Sequence, residues 1–350
     1  MTSSNLTIIS SSMKKAILVS TLVGYAALVI YLLYFVGIGS LIEVIQEASL
    51  SLYALAILSL LVSIFFHTLV WFQLLRSLAI KLSFRRAYVL YWVGIFVDNI
   101  IPGGWSGDLF KAYLLNKDPK VQSGKAVASV VAKNVYEAIF NFGSMVFAIG
   151  LLLLNYNLGG SLMFSLAGIL LLLALPLFIL LLASFKPGWA KRLVDAFFSF
   201  LSRVVKNRAR IYALQSKVEK ALCDYHDGMK TLLENPRLLI KPMFLSSIAW
   251  AFEIITLLFV FASLGQLIPL DKVVIVRSIA GNVEAQGYAF VGYAQIISSE
   301  IYGALGVPFA IAASVALLGG VVIFLLKTGI SYAAFHRTVI SPNNKDKDQP

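Results

Sequence analysis

The stretch NIIPGGWSGDLFKAYLL runs from Asn99 to Leu115. Pro102, the glycines Gly103, Gly104 and Gly107, and Asp108 interrupt a chain that is otherwise apolar. Of its 350 residues 59% are hydrophobic and 13% charged, and the mean hydropathy is +0.85. Soluble proteins carry about 25% charged residues, so this is the composition of an integral membrane protein. Broken backbone inside hydrocarbon leaves N–H and C=O groups without partners, at several kcal/mol each. It is tolerated only where it is packed in protein or lines a wet cavity. The stretch therefore points to a polar site at membrane depth, the alternative being a glycine-proline turn at the membrane surface.

Working outward from it, six apolar runs reach the roughly 20 residues that a bilayer crossing needs: 16–36, 51–75, 126–154, 161–185, 242–264 and 304–326. The first is too long for a cleavable signal segment, whose apolar part is about 7–15 residues. The net charge of +12 follows the positive-inside rule rather than a nucleic-acid partner. Lys14 and Lys15 place the N-terminus inside, and Glu43 and Glu47 mark an outside loop. Arg76, Lys81, Arg85 and Arg86 mark an inside loop, as do Lys111, Lys117, Lys120 and Lys125. Segment 186–241 has twelve Lys/Arg against five Asp/Glu, so it is cytoplasmic. The spacing of Leu193, Phe197, Phe200, Leu201 and Val204 predicts an amphipathic helix there, lying on the inner leaflet. Lys327, His336, Arg337, Lys345 and Lys347 make the C-terminus cytoplasmic, and 341–350 reads as a disordered polar tail.

Apolar residues 87–101 lie between two inside loops, which a full crossing would separate. A re-entrant hairpin broken at Pro102-Gly103-Gly104 resolves this. Residues 273–303, half polar and glycine-rich, begin and end outside and read as a second hairpin entering from the other face. The order span, hairpin, span thus occurs at 51–154 and again, with opposite orientation, at 242–335. Inverted repeats of this kind are a device of transporters. The expected fold is all-α: a single polytopic domain over 1–340, with about six full spans and two broken hairpins, or 7–8 membrane segments by hydropathy. A plain eight-helix bundle is the alternative.

Ionisable groups at membrane depth are costly and mark function by default. Lys133 and Glu137 are four apart and can pair on one face. Asn134, Glu137, Asn141 and Ser144 extend that face as a polar stripe. Glu253 lies mid-span, protonated or paired with Lys133 or Arg277. His67 precedes Phe84 by as much as Glu253 precedes Leu270, so a true repeat makes the two equivalent and has them face each other. Arg277, Asn282, Glu284, Gln286, Tyr288, Tyr293, Gln295 and Glu300 make the second hairpin polar, and Glu300 opens the last span. Free amides after the glycine-rich turn suit an anion such as phosphate. Beside it stand Asp98, Asn99, Asp108 and Lys111, with Arg85 and Arg86 upstream. No metal ligand set, nucleophile triad, P-loop or ATPase motif is present: His67, His226 and His336 share no spacing, and GxxxxGK[ST] is missing. The lone Cys223 excludes an intramolecular disulfide.

These residues resemble a known family. The opening stretch is similar to the PGG-x-x-GD-x-x-R-x-x-x-L element of the flippase-like membrane family that includes the transmembrane domain of lysylphosphatidylglycerol synthases. LSFRRAYVLYWVGIF and SGKAVASVVAKNVYEA resemble its flanks, and VGYAQIISSEIYGALGVP its second element. The resemblance covers roughly residues 15–335. Lys111 replaces the usual arginine, GYAQIISSE replaces a Pro-Gly-Gly-Gly-like turn, and no arginine stands near Gly319. The resemblance implies lipid handling: such domains are associated with moving aminoacylated phosphatidylglycerol between leaflets, and other relatives suggest polyprenyl-phosphate sugars. The soluble aminoacyl-transfer domain has no counterpart in these residues, so synthase activity is not carried over.

The reading is a lipid flippase or scramblase of the cell membrane, without catalytic residues, metal or cofactor. Gly103, Gly104 and Gly107 offer amides to a phosphate. Lys111, Arg85 and Arg86 give positive charge at the inner mouth. Glu137, Glu253 and Glu300 meet a cationic headgroup or carry protons. The expected partners are membrane lipids, anionic or lipid-phosphate, and a cytosolic lipid-modifying enzyme or glycosyltransferase. Two alternatives stay open. One is a membrane enzyme or subunit acting on a lipid phosphate through Asp98, Asp108 and Glu137. The other is a scaffold for a cytosolic synthase using the basic segment.

Overall fold

The computed structural model describes residues 42–43, 45–101, 106–117, 121, 123–156, 186–204, 237–285 and 293–340, with isolated positions at 30, 168, 175, 178 and between 215 and 234. The expected spans 16–36 and 161–185, the Pro102–Gly104 turn, the side chain of Glu284, Gln286, Tyr288 and the tail lie outside the described residues. Among those described, all regular structure is helical. The helices are α1 (Leu50–Ser77), α2 (Phe84–Ile100), α3 (Ser106–Asn116), α4 (Ser123–Asn155), α5 (Pro187–Val204), α6 (Arg237–Ser263), α7 (Leu270–Ala285), α8 (Tyr293–Ala304) and α9 (Phe309–Ile340). Four contain stretches long and apolar enough to cross a membrane: Leu50–Ser77, Lys125–Asn155, Ile240–Ser263 and Phe309–Ile340. At 1.5 Å per residue, α2 and α7 reach only about 25 Å, short of a hydrocarbon core of about 30 Å.

The last span differs from the expected 304–326. It begins at Phe309 because the chain before it is broken: Gly306 takes φ +80° and Pro308 caps the new helix. It runs on past Lys327 to Ile340. Glu300 therefore sits near the end of α8 and does not open the last span. The stretch Leu317–Val322 of α9 is π-helical. Tyr53 Oη donates to Leu318 O at 2.8 Å there, and the Gln295 side chain packs where a side chain at Gly320 would begin.

Helix ends recur at one spacing. Ser77, Phe84 and Ser123 have counterparts 186 residues on at Ser263, Leu270 and Phe309. The caps repeat too. Ala79 (φ 58°) lets Ile80 N donate to Leu75 O at 2.9 Å, and Gly265 (φ 70°) lets Gln266 N donate to Phe261 O at 3.0 Å. A left-handed residue after the last turn satisfies carbonyls that a helix end leaves open. Ala79 does so without glycine's freedom, at about 1–2 kcal/mol.

The described residues form two compact units. The first comprises those up to Leu61, Trp92–Gly107 and those from Phe252 on; the second comprises Val62–Tyr91 and Asp108–Ala251. In the first, Ser49 N donates to Ser263 O at 2.7 Å, and Phe261 meets Tyr302 edge-on at 5.0 Å. Lys272 Nζ donates to Leu305 O at 2.6 Å, so the start of α7 meets the chain just past the end of α8. In the second, Trp71, Leu74, Leu75 and Leu78 of α1 pack with Ala87 and Leu90 of α2, Leu115 of α3 and Ala126, Ala128 and Ala132 of α4. Small residues let helices approach closely where lipid removes the usual hydrophobic drive. The amphipathic helix expected around 193–204 is formed as α5, with Phe198 buried and Phe197 exposed.

Candidate functional site

Two sets of polar side chains stand out, one in each unit. In the second unit, three helices supply one ionic cluster. Asp108 and Lys111 are three apart on α3 and form an ion pair. Lys133 of α4 reaches both Asp108 Oδ2 at 3.4 Å and Glu137 Oε2 at 2.8 Å. His67 Nδ1 of α1 lies 3.9 Å from the other Glu137 oxygen. Aromatic faces close the cluster: Lys111 Nζ sits 5.0 Å from the Trp71 ring centre and 4.4 Å from that of Tyr91. Ammonium groups are attracted to such faces, most strongly when desolvated. The Trp71 ring is itself oriented, its Nε1 donating to the buried Ser129 hydroxyl at 3.3 Å.

The expected helix-turn pair Lys133–Glu137 is therefore formed. The polar stripe is only partly a surface: Asn134 is buried, and the Ser144 hydroxyl donates to Asn141 O of its own helix. Lys111 is not at an open mouth. It is 3% exposed, with its charge taken by Asp108, because burying an ammonium requires a partner. Arg85 and Arg86 are exposed at the start of α2.

In the first unit, Asp98 near the end of α2 holds the start of α3. Its Oδ1 accepts from Gly107 N at 2.6 Å and from the Ser106 hydroxyl at 2.9 Å. An aspartate caps a helix start because the first N–H groups have no partner in the helix. The Gly107 amide is thus already bound to a carboxylate and does not stand open for a phosphate. Gly103 and Gly104 lie outside the described residues. Asn99 Nδ2 donates to Thr328 Oγ1 of α9 at 2.8 Å.

The same unit holds Glu253 of α6, whose Oε2 accepts from Arg277 Nη2 of α7 at 2.7 Å. Arg277, a base that the sequence offered Glu253, meets it here, and in the second unit His67 meets Glu137. The Arg277 guanidinium lies back over Gly281, one turn along its own helix, in space that any side chain at 281 would claim. Gln295 packs on Gly320, and Glu300 is exposed. The side chain of Glu284 lies outside the described residues. Residues that the sequence did not single out complete these sites: Trp71, Tyr91, Ser106, Thr328 and Gly281. Aromatic and small residues are so frequent in this chain that their type carries no signal; only their neighbours do.

Chemically, these groups give polar surfaces on apolar helices, with each acid of the ionic sets matched to a base. The chain is 27% identical over 326 residues to a UPF0104 membrane protein of Pyrococcus horikoshii, covering 90% of this chain and 95% of that one. It is 26% identical over 323 residues to one of Methanocaldococcus jannaschii, covering 87% and 90%. It is 22% identical over 327 residues to one of Methanothermobacter thermautotrophicus, covering 92% and 94%. No solved structure matches the chain. Residues 16–331 match the family described as the lysylphosphatidylglycerol synthase TM region, and the chain belongs to that family of integral membrane proteins.

Proposed function

We propose that the protein moves a phospholipid or lipid-linked headgroup between leaflets, as a flippase or scramblase of the cell membrane. One observation carries this reading: ionised side chains are held in matched sets on helices that are otherwise apolar. The sets are Asp108, Lys111, Lys133 and Glu137 in one unit and Glu253 with Arg277 in the other. Such groups persist at membrane depth only with partners, and they mark paths for polar cargo. A headgroup crossing the bilayer needs such partners in place of water, while its acyl chains stay in lipid.

In this reading the recurrence of helix ends at 186 residues reflects an inverted repeat. The Lys272–Leu305 bond supports a re-entrant α7–α8 hairpin, since it joins the hairpin's two ends. Both termini and the basic segment 186–241 are cytoplasmic. Cys223 tests this topology, because it is exposed and the chain has no other cysteine. In intact cells a membrane-impermeant maleimide leaves Cys223 unlabelled, and opening the cells allows labelling. Labelling from outside would reverse the topology.

The activity is tested by reconstituting purified protein with fluorescent lipids of varied headgroup and following leaflet exchange by dithionite quenching. Exchange is expected to depend on the headgroup. Glu253→Gln strips the charge that faces Arg277 and is expected to slow exchange at least about tenfold, equivalent to about 1.4 kcal/mol on the barrier. Folded protein that exchanges no lipid would overturn the proposal.

A further inference from the structure

The cluster of the second unit is a continuous series of ionisable groups whose two ends differ. At the inner end Asp108, Lys111 and Lys133 are sealed, with side-chain exposures of 3–6%. At the outer end Glu137 and His67 keep 27% and 23% of their side-chain surface. Glu137 offers one oxygen to each end: Oε2 holds Lys133 at 2.8 Å, and Oε1 faces His67 Nδ1 at 3.9 Å. The carboxylates Asp108 and Glu137 balance the ammonium groups of Lys111 and Lys133, so the set is neutral while His67 is uncharged. One group remains whose charge can change without breaking a sealed pair, and it faces an acid.

We infer that His67 and Glu137 form a proton-binding site, and that its occupancy sets the rate of lipid exchange; the second part rests on the function proposed above. An added proton completes the imidazolium, so that Nδ1–H faces the Glu137 carboxylate and the loose contact becomes an ion pair. The cluster then carries a single positive charge. A proton fits this site better than a metal cation, because both carboxylates already hold ammonium partners. Among the described residues, the charged and titratable groups around the pair include Lys133 and Tyr136 on the helix of Glu137, Asp108 and Lys111 from α3, and Tyr91 from α2, whose ring centre lies 5.9 Å from Lys133 Nζ.

The test uses two independent readings. Imidazole NMR on isotope-labelled protein separates three histidines, with His67 identified by the signal lost in His67→Asn. An imidazole ordinarily changes charge within about pH 5–8, so the His67 signal is followed across that range. Glu137→Gln, which removes the facing carboxylate, is expected to alter the pH response of the His67 signal and to leave those of His226 and His336 unmoved. A His67 signal that never titrates, or titrates identically without Glu137, overturns the site. Exchange in proteoliposomes is expected to change by about tenfold across the same pH range in the wild type and to stay flat in His67→Gln. Wild-type exchange that ignores pH overturns the control of rate. No exchange at any pH sinks the lipid reading instead, and the NMR result alone then decides the proton site.

Discussion

Asp108→Asn is expected to lower stability by about 3–5 kcal/mol, because removing one partner of a buried ion pair leaves a charge uncompensated. Asp108 lies between Lys111 and Lys133, and without it the cluster has two ammonium groups and one carboxylate, Glu137. Neither lysine can escape to water easily: both are at most 6% exposed, and Lys111 is held against Trp71 and Tyr91. The double variant Asp108→Asn with Lys111→Met removes an acid and a base together. It is expected to recover most of the loss, since acid and base leave together and the remaining ammonium of Lys133 keeps Glu137 as its carboxylate. Thermal unfolding of the four proteins of this cycle in detergent checks both statements. A single variant as stable as the wild type would show that Asp108 does not neutralise the lysines.

Gly107→Ala is expected to cost about 1–3 kcal/mol, the range for overpacking a close contact, and to abolish lipid exchange under the proposed function. The added methyl would land on the Gly94 carbonyl oxygen of α2, and 2.5 Å from Asp98 Oδ2. The carbonyl belongs to a helix backbone and cannot turn aside. The start of α3 would have to move, breaking the Asp98 bonds to Ser106 and Gly107. Gly143→Ala is the matched control: a methyl there meets nothing within 4 Å. It is expected to be neutral or to stabilise α4 by up to about 1 kcal/mol through helix propensity. Equal unfolding temperatures and exchange rates in the two variants would remove Gly107 from the positioning of α3.

The membrane class and the long apolar helices were legible in the sequence because each depends on neighbours along the chain. Hydropathy over about 20 residues marks a span, and glycine and proline mark where helices stop. The error at the last span has the same origin. Hydropathy runs on smoothly from Ala304, whereas the helix restarts only after the left-handed Gly306 and Pro308. Lys133–Glu137 was legible too, since four-residue spacing puts both on one face.

Arg277 was one of two bases offered to Glu253, but the partners of the other polar groups were not legible. His67 meets Glu137 from 70 residues away, and Lys133 meets Asp108 from 25 residues away. Asp98, which the sequence offered as an acid or a cargo contact, is the cap of α3. Sequence by itself determined that acids and bases stand on or beside apolar helices. Only the tertiary structure decided which acid neutralises which base, because that depends on the close approach of separate helices, and buried charges accept whichever partner that packing brings within reach.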